Sequence, residues 1–66
     1  MENYFTKNLK DLRAEFGISQ AQLAKRLNIA ANTISRWETG FSEPSIQQIL
    51  DLCDYFQIST DELLKP

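Results

Sequence analysis

Apolar residues recur along this chain at helical spacing and almost never at alternate positions. Around residues 6–16, Phe5, Leu9, Leu12 and Phe16 fall three and four apart, so they line one side of a helix and predict an amphipathic first element. Gly17 follows, the residue that best tolerates the left-handed backbone of a helix C-cap. Leu23, Ala24 and Leu27 predict a second helix from Gln20 to about Leu27, closed by Asn28, the next-best residue for that cap. Ile34 and Trp37 mark a third over residues 31–39, ended by Gly40. After Pro44, a fourth helix carries Ile46, Ile49, Leu50, Cys53 and Phe56, and a short fifth carries Leu63 and Leu64. The fold class expected is all-α, with five short helices, no sheet, and one domain over residues 1–66.

Polar residues punctuate this pattern. Ser19 with Gln22, Ser45 with Gln48 and Ser59 with Glu62 each have capping-box spacing, in which a hydroxyl and a side-chain acceptor three residues on satisfy orphan amides at a helix start. Ile18 with Leu23 and Ile58 with Leu63 form hydrophobic staples across two of these starts. Ile29 and Ile34 repeat the staple spacing around Ala30, a cap position with no side-chain acceptor.

The third helix has two unlike faces. With Ile34 set at zero, Trp37 lies at about 300°, and together they mark the buried side. The opposite side gathers Asn32 at about 160°, Thr39 at about 140°, Arg36 at about 200° and, at its margin, Ser35. Glu38, at about 40°, lies against the buried side, an odd place for a carboxylate without a partner. An amide and a guanidinium thus sit one turn apart behind small residues, a few residues beyond the second helix. A reader of the major groove needs this combination: Asn can pair with adenine and Arg with guanine, each through two hydrogen bonds, while small side chains let the helix start enter the groove. Two helices joined by so sharp a turn make a helix-turn-helix, here about residues 20–39.

Composition sharpens the picture only in part. Hydrophobic residues at 42% and charged residues at 24% suit an ordinary globular protein, and a chain of 66 residues buries only about 60% of its unfolded surface, so its stability is thin. The formal net charge of −2 weighs against a polyanionic partner, but the charge is segregated. From Ser19 to Trp37, Lys25, Arg26 and Arg36 stand without any acidic residue, giving +3. From Ser45 to Pro66, Asp51, Asp54, Asp61 and Glu62 stand against Lys65, giving −3. With no histidine and one cysteine, a zinc site is not expected, and Cys53 reads as a small core residue. No general base stands near that thiol, no paired-carboxylate cleft and no phosphate-cradling glycine loop are evident, so neither an enzyme nor a cofactor is expected. The N-terminal run has no apolar stretch after a basic start and nothing approaches a membrane span, so the expected compartment is the cytoplasm.

In "LKDLRAEFGISQAQLAKRLNIAANTISRWETG" and "PSIQQILDLCDYFQISTDELL" the chain resembles the Cro/C1-type helix-turn-helix domain of phage repressors, the xenobiotic-response-element family. The Gly-Ile-Ser-Gln-x-x-Leu-Ala run, Thr-Ile-Ser-x-Trp-Glu-x-Gly and the Pro-Ser helix start together carry the likeness, which covers nearly the whole chain. It implies a lambda-repressor-like five-helix domain that binds double-stranded operator DNA as a homodimer and regulates transcription, in the repressing sense. Residue by residue, it implies that Gln20 binds a phosphate and that Ala31, Asn32 and Arg36 meet base edges. It places Thr33 near bases or backbone, pairs Arg13 with Glu38 between helices one and three, and puts Ala24 where the turn needs a small residue. Ser19, Ser35, Thr39 and Lys25 complete the expected backbone contacts. The chain departs from the family pattern in three places. Ala30 replaces a capping hydroxyl, worth about 1 kcal/mol; the loop Phe41-Ser42-Glu43 is not basic; and Ala31 can offer a base no more than contact with a thymine methyl. The acidic C-terminal third keeps a second reading open, a protein-interaction module such as an antitoxin-like subunit.

Overall fold

The computed structural model describes residues 3–66 and contains five helices with no strand among them: α1 (Asn3–Phe16), α2 (Gln20–Leu27), α3 (Ala31–Thr39), α4 (Ile46–Phe56) and α5 (Thr60–Leu64). α1 starts three residues before the expected Thr6, which brings Phe5 into its first turns, where the ring is buried. The other starts follow the local chemistry. Ser19, Ser45 and Ser59 each accept from the backbone N–H three residues on while the side chain there accepts from the serine N–H, so every expected capping box forms. α3 alone of the helices after α1 begins without one, because Ala30 makes no side-chain cap bond.

Four connections turn through left-handed backbone. Gly17 (φ 66°), Asn28 (φ 59°) and Gly40 (φ 78°) are the caps expected, and Gln57 (φ 57°) is a fourth that the sequence did not advertise. A glutamine there has the Cβ crowding that glycine avoids, and its side-chain amide donates to the Asp54 carbonyl at 2.6 Å.

The core is Phe5, Leu9, Leu23, Ala24, Ile34, Trp37, Leu52, Cys53, Phe56 and Leu63, with Leu12, Leu27, Ile49, Tyr55 and Leu64 partly buried around it. Trp37 sits within it, edge-on to Phe5 at 6.3 Å between ring centroids. α1 ties the ends of the fold together: the Thr6 hydroxyl donates to the Trp37 carbonyl at 3.3 Å, and the Asn8 amide donates to the Leu63 and Lys65 carbonyls at 2.9 and 2.8 Å. Tyr55, Phe56, Leu63 and Leu64 therefore pack in or against the core.

Three apolar residues expected inward are exposed. On α4 the buried set is Leu52, Cys53 and Phe56 with Ile49 beside it, and that face centres about 110° from Leu50 and about 70° from Ile46. Ile46, in the first turn and off that centre, is 80% exposed, and Leu50 is exposed too, while Leu52 takes the core position. Phe16 is on the α1 stripe but at its end, so its ring is only half covered, against the edge of Phe56 at 4.9 Å. No helix among the described residues is long and apolar enough to cross a membrane.

Candidate nucleic-acid interface

The helix pair that carries the site is joined by three residues, Asn28 to Ala30. Asn28 turns left-handed, and its N–H and that of Ile29 close back onto the carbonyls of α2, with Ile29 N–H donating to Ala24 at 2.9 Å. Ala24 itself is buried in the core, where close packing leaves little room for a larger side chain. Ile34, Trp37 and Glu38 then form the buried side of α3. That orientation leaves Ala31, Asn32, Arg36 and Thr39 exposed, with Thr33 and Ser35 half-buried at the edges. Asn32, Arg36 and Thr39 fall on the side the helical wheel puts them; Ala31, beside Glu38 on that wheel, is exposed because it opens the first turn.

Glu38 fixes the orientation. It is 5% exposed, and Arg13 reaches it from α1 with two donors, Nε to Oε2 and Nη2 to Oε1 at 2.9 Å. A third Arg13 donor, Nη1, goes to the Ile18 carbonyl at 2.9 Å, so one guanidinium ties α1, the α1–α2 turn and α3. Burial pushes the Glu38 carboxyl up, but hydrogen bonds from Arg13 and Gln20 and the charges of Arg13 and Lys10 outweigh it and hold the group below the usual carboxylate range. Arg13 in turn is held above its ordinary value, chiefly by its hydrogen bond to Glu38. The sequence left Glu38 without a partner until the resemblance supplied one; the structure makes it a bidentate pair with a third donor.

That third donor is Gln20. Its Nε2 donates to Glu38 Oε1 at 3.1 Å, so in the free protein one amide N–H of this expected phosphate contact is committed inward. Ser19 is engaged likewise, its hydroxyl accepting from Gln22 N–H at 3.0 Å. Thr39 donates its hydroxyl to the Arg36 carbonyl at 3.2 Å. Lys25 is exposed on α2, and Arg26 beside it.

Arg36 has a neighbour that sequence reasoning passed over. Its guanidinium carbon lies 4.9 Å from the centroid of the Phe41 ring, within cation–π range. In the sequence Phe41 belongs to a non-basic loop; its place under Arg36 arises from the left-handed Gly40, which breaks helical periodicity and so hides the proximity from a wheel. Away from this face Cys53 is buried in the core, and its thiol is pushed up by burial and then by the Glu62 charge.

Comparison with known proteins agrees with the helical fold. The family model described as "Helix-turn-helix" matches residues 9–63. The chain is 33% identical over 60 residues to the HTH-type transcriptional activator BcrR of Enterococcus faecalis, covering 91% of this chain and 29% of that protein. It is 36% identical over 58 residues to the HTH-type transcriptional regulator ImmR of Bacillus subtilis, covering 88% and 46%. It is 33% identical over 66 residues to the antitoxin PezA of Streptococcus pneumoniae, covering 91% and 42%. The chain thus spans less than half the length of each of these relatives. Among solved structures, a transcriptional regulator from Listeria innocua superimposes with a TM-score of 0.86 at 35% identity, over 91% of this chain and 56% of that one. With the helix pair, its buried Arg13–Glu38 tie and its outward Asn32 and Arg36 in place, the chain belongs to the Cro/C1-type helix-turn-helix family of DNA-binding transcriptional regulators.

Proposed function

We propose that this chain reads a specific double-stranded DNA sequence by laying α3 in the major groove. Asn32 and Arg36 take base edges, Ala31 packs on a thymine methyl where one is present, and Thr33 lies at the border of base and backbone. Gln20, Ser19, Ser35, Thr39 and Lys25 hold phosphates and set the register. The observation that carries this reading is the division of α3: Ile34, Trp37 and Glu38 are buried, while Asn32 and Arg36 are exposed on the opposite side and Ala31 is exposed in the first turn. Gln20 keeps one amide N–H on Glu38 and has a second to give a phosphate at the start of α2, where the helix dipole favours an anion.

One such module presents too little surface for affinity and specificity together, so two copies bind as a homodimer to half-sites about one helical turn apart on a near-palindromic operator. Occupancy of such an operator excludes other proteins from the same DNA, and repression is its simplest regulatory consequence. BcrR is named an activator, but this chain corresponds to only 29% of it.

A second reading has some support: Asp51, Asp54, Asp61 and Glu62 are all exposed, and PezA is named an antitoxin. On that reading a protein partner occupies the acidic side. The mutants that test the DNA reading are Arg36→Ala and Gln20→Ala, titrated against an enriched duplex and a scrambled one. Arg36→Ala is expected to lose ~1–3 kcal/mol on the enriched duplex and to relax preference at one base pair, and Gln20→Ala to weaken both duplexes about equally. Equal losses on both duplexes for both mutants would contradict this division of labour.

A further inference from the structure

Phe41 is a large apolar residue, 73% exposed, on the rim of the proposed reading face. The aromatic packing of the fold does without it: Phe5 pairs with Trp37, and Phe16, Tyr55 and Phe56 form a second group. Its backbone is nonetheless held. Gly40 turns left-handed at the end of α3, and the Phe41 N–H donates to the Arg36 carbonyl at 2.9 Å. This hydrogen bond returns the chain to Arg36, and the ring lies under that residue's guanidinium at 4.9 Å.

The chemistry of Arg36 makes this contact consequential. None of the ion pairs among the described residues takes it up: Lys7 goes to Asp11, Arg13 to Glu38 and Lys65 to Asp61. A carboxylate partner would use the N–H groups that a base must receive. A ring face attracts the cation through its quadrupole and leaves the in-plane donors directed outward. A long side chain held this way also has less rotamer freedom to lose on binding.

We propose that Phe41 is a positioning residue for base reading, its ring acting as the shelf that holds the Arg36 guanidinium in place toward the major groove. This rests on the reading of Arg36 as a base contact. It makes the residue after the α3 cap a determinant of specificity in this chain, in a loop with no basic side chain for the DNA backbone.

The test uses the 66-residue chain and a pool of synthetic duplexes with a randomised centre. Parent, Phe41→Ala, Phe41→Tyr and Arg36→Ala are each titrated on the duplex the parent enriches and on every single-base-pair variant of it. Phe41→Ala is expected to lose discrimination by about two- to five-fold at the same base pair at which Arg36→Ala loses it, and nowhere else. Phe41→Tyr keeps the discrimination, and the melting temperature of Phe41→Ala falls by no more than about 8 °C, the loss of one exposed cation–π contact. In the DNA-free protein, NMR should show the Arg36 side-chain protons shifted upfield by the ring, a shift that Phe41→Ala abolishes and Phe41→Tyr preserves. Discrimination unchanged in Phe41→Ala, or lost evenly at all base pairs, overturns the positioning role while Arg36→Ala still marks its base pair. Full discrimination in Arg36→Ala overturns the base-reading role itself, and the shelf with it.

Discussion

Glu38 shows how much of the architecture rests on single side chains. A buried carboxylate is costly unless it is paired and fully hydrogen-bonded, and here Arg13 and Gln20 supply three donors to its two oxygens. Removing Arg13 strands that charge. Arg13→Ala is therefore expected to cost roughly 3 kcal/mol of stability, the low end for a broken buried pair, since Arg13 itself is partly exposed. Its base preference should not change; thermal melting beside the duplex panel checks both halves. The pH dependence has a definite sign. Because the Glu38 carboxyl is held below its ordinary value in the fold, its contribution is present above the unfolded carboxylate pKa of about 4.3 and is lost as pH falls through the folded value. The parent's stability advantage over Glu38→Gln should accordingly be constant near neutrality and shrink on acidification below about pH 4. An advantage that persists undiminished into strong acid would remove the ion pair from the account.

Helix ends, more than helix interiors, determine where the elements of this chain begin and stop. Three capping boxes and the left-handed residues at Gly17, Asn28 and Gly40 were legible because each depends on residues within a few positions of one another. Gln57 was not, since nothing local distinguishes it from any polar residue, and packing of Ile58 and Leu63 onto the core makes the turn there. Core membership on α4 was misjudged for a similar reason. Apolar spacing alone admits Ile46 and Leu50, but only the neighbours of α4 decide that its core face centres between Phe56 and Ile49, with Leu52 and Cys53 to either side. At the site, the outward set on α3 could be read from a helical wheel. The Gln20–Glu38 bond and the Arg36–Phe41 stack could not, because the first joins residues 18 apart on different helices and the second crosses a left-handed glycine. The uncapped start of α3 gives this scale its own prediction. Ala30→Ser should supply the missing acceptor and raise stability by about 1 kcal/mol, read as a shift in the denaturation midpoint with an unchanged slope. A mutant no more stable than the parent would mean that the first turn of α3 is satisfied by other means.

Across the whole molecule the charges of α2–α3 and of α4–α5 differ in sign but meet at one groove, where Arg26 lies with Asp51 and Asp54. Lys25, Arg26 and Arg36 lie exposed on α2 and α3, while Asp51, Asp54, Asp61 and Glu62 lie exposed on α4 and α5. A net charge of −2 therefore does not decide the partner; what counts is which surface meets it. If α2 and α3 face DNA, affinity should fall steeply as salt rises, with a slope set by the few phosphates neutralised. The protein-partner reading predicts no such dependence on duplex, and saturable binding to another protein instead. Whether α3 reads bases is decided by selection from a random duplex pool at low salt, run in parallel for the parent and Arg36→Ala. The parent is expected to enrich a near-palindromic site with half-sites about one helical turn apart, and the mutant to lose preference at one position in each half. A parent that enriches nothing beyond the mutant would contradict that reading, leaving the outward face of α3 without a role in reading DNA.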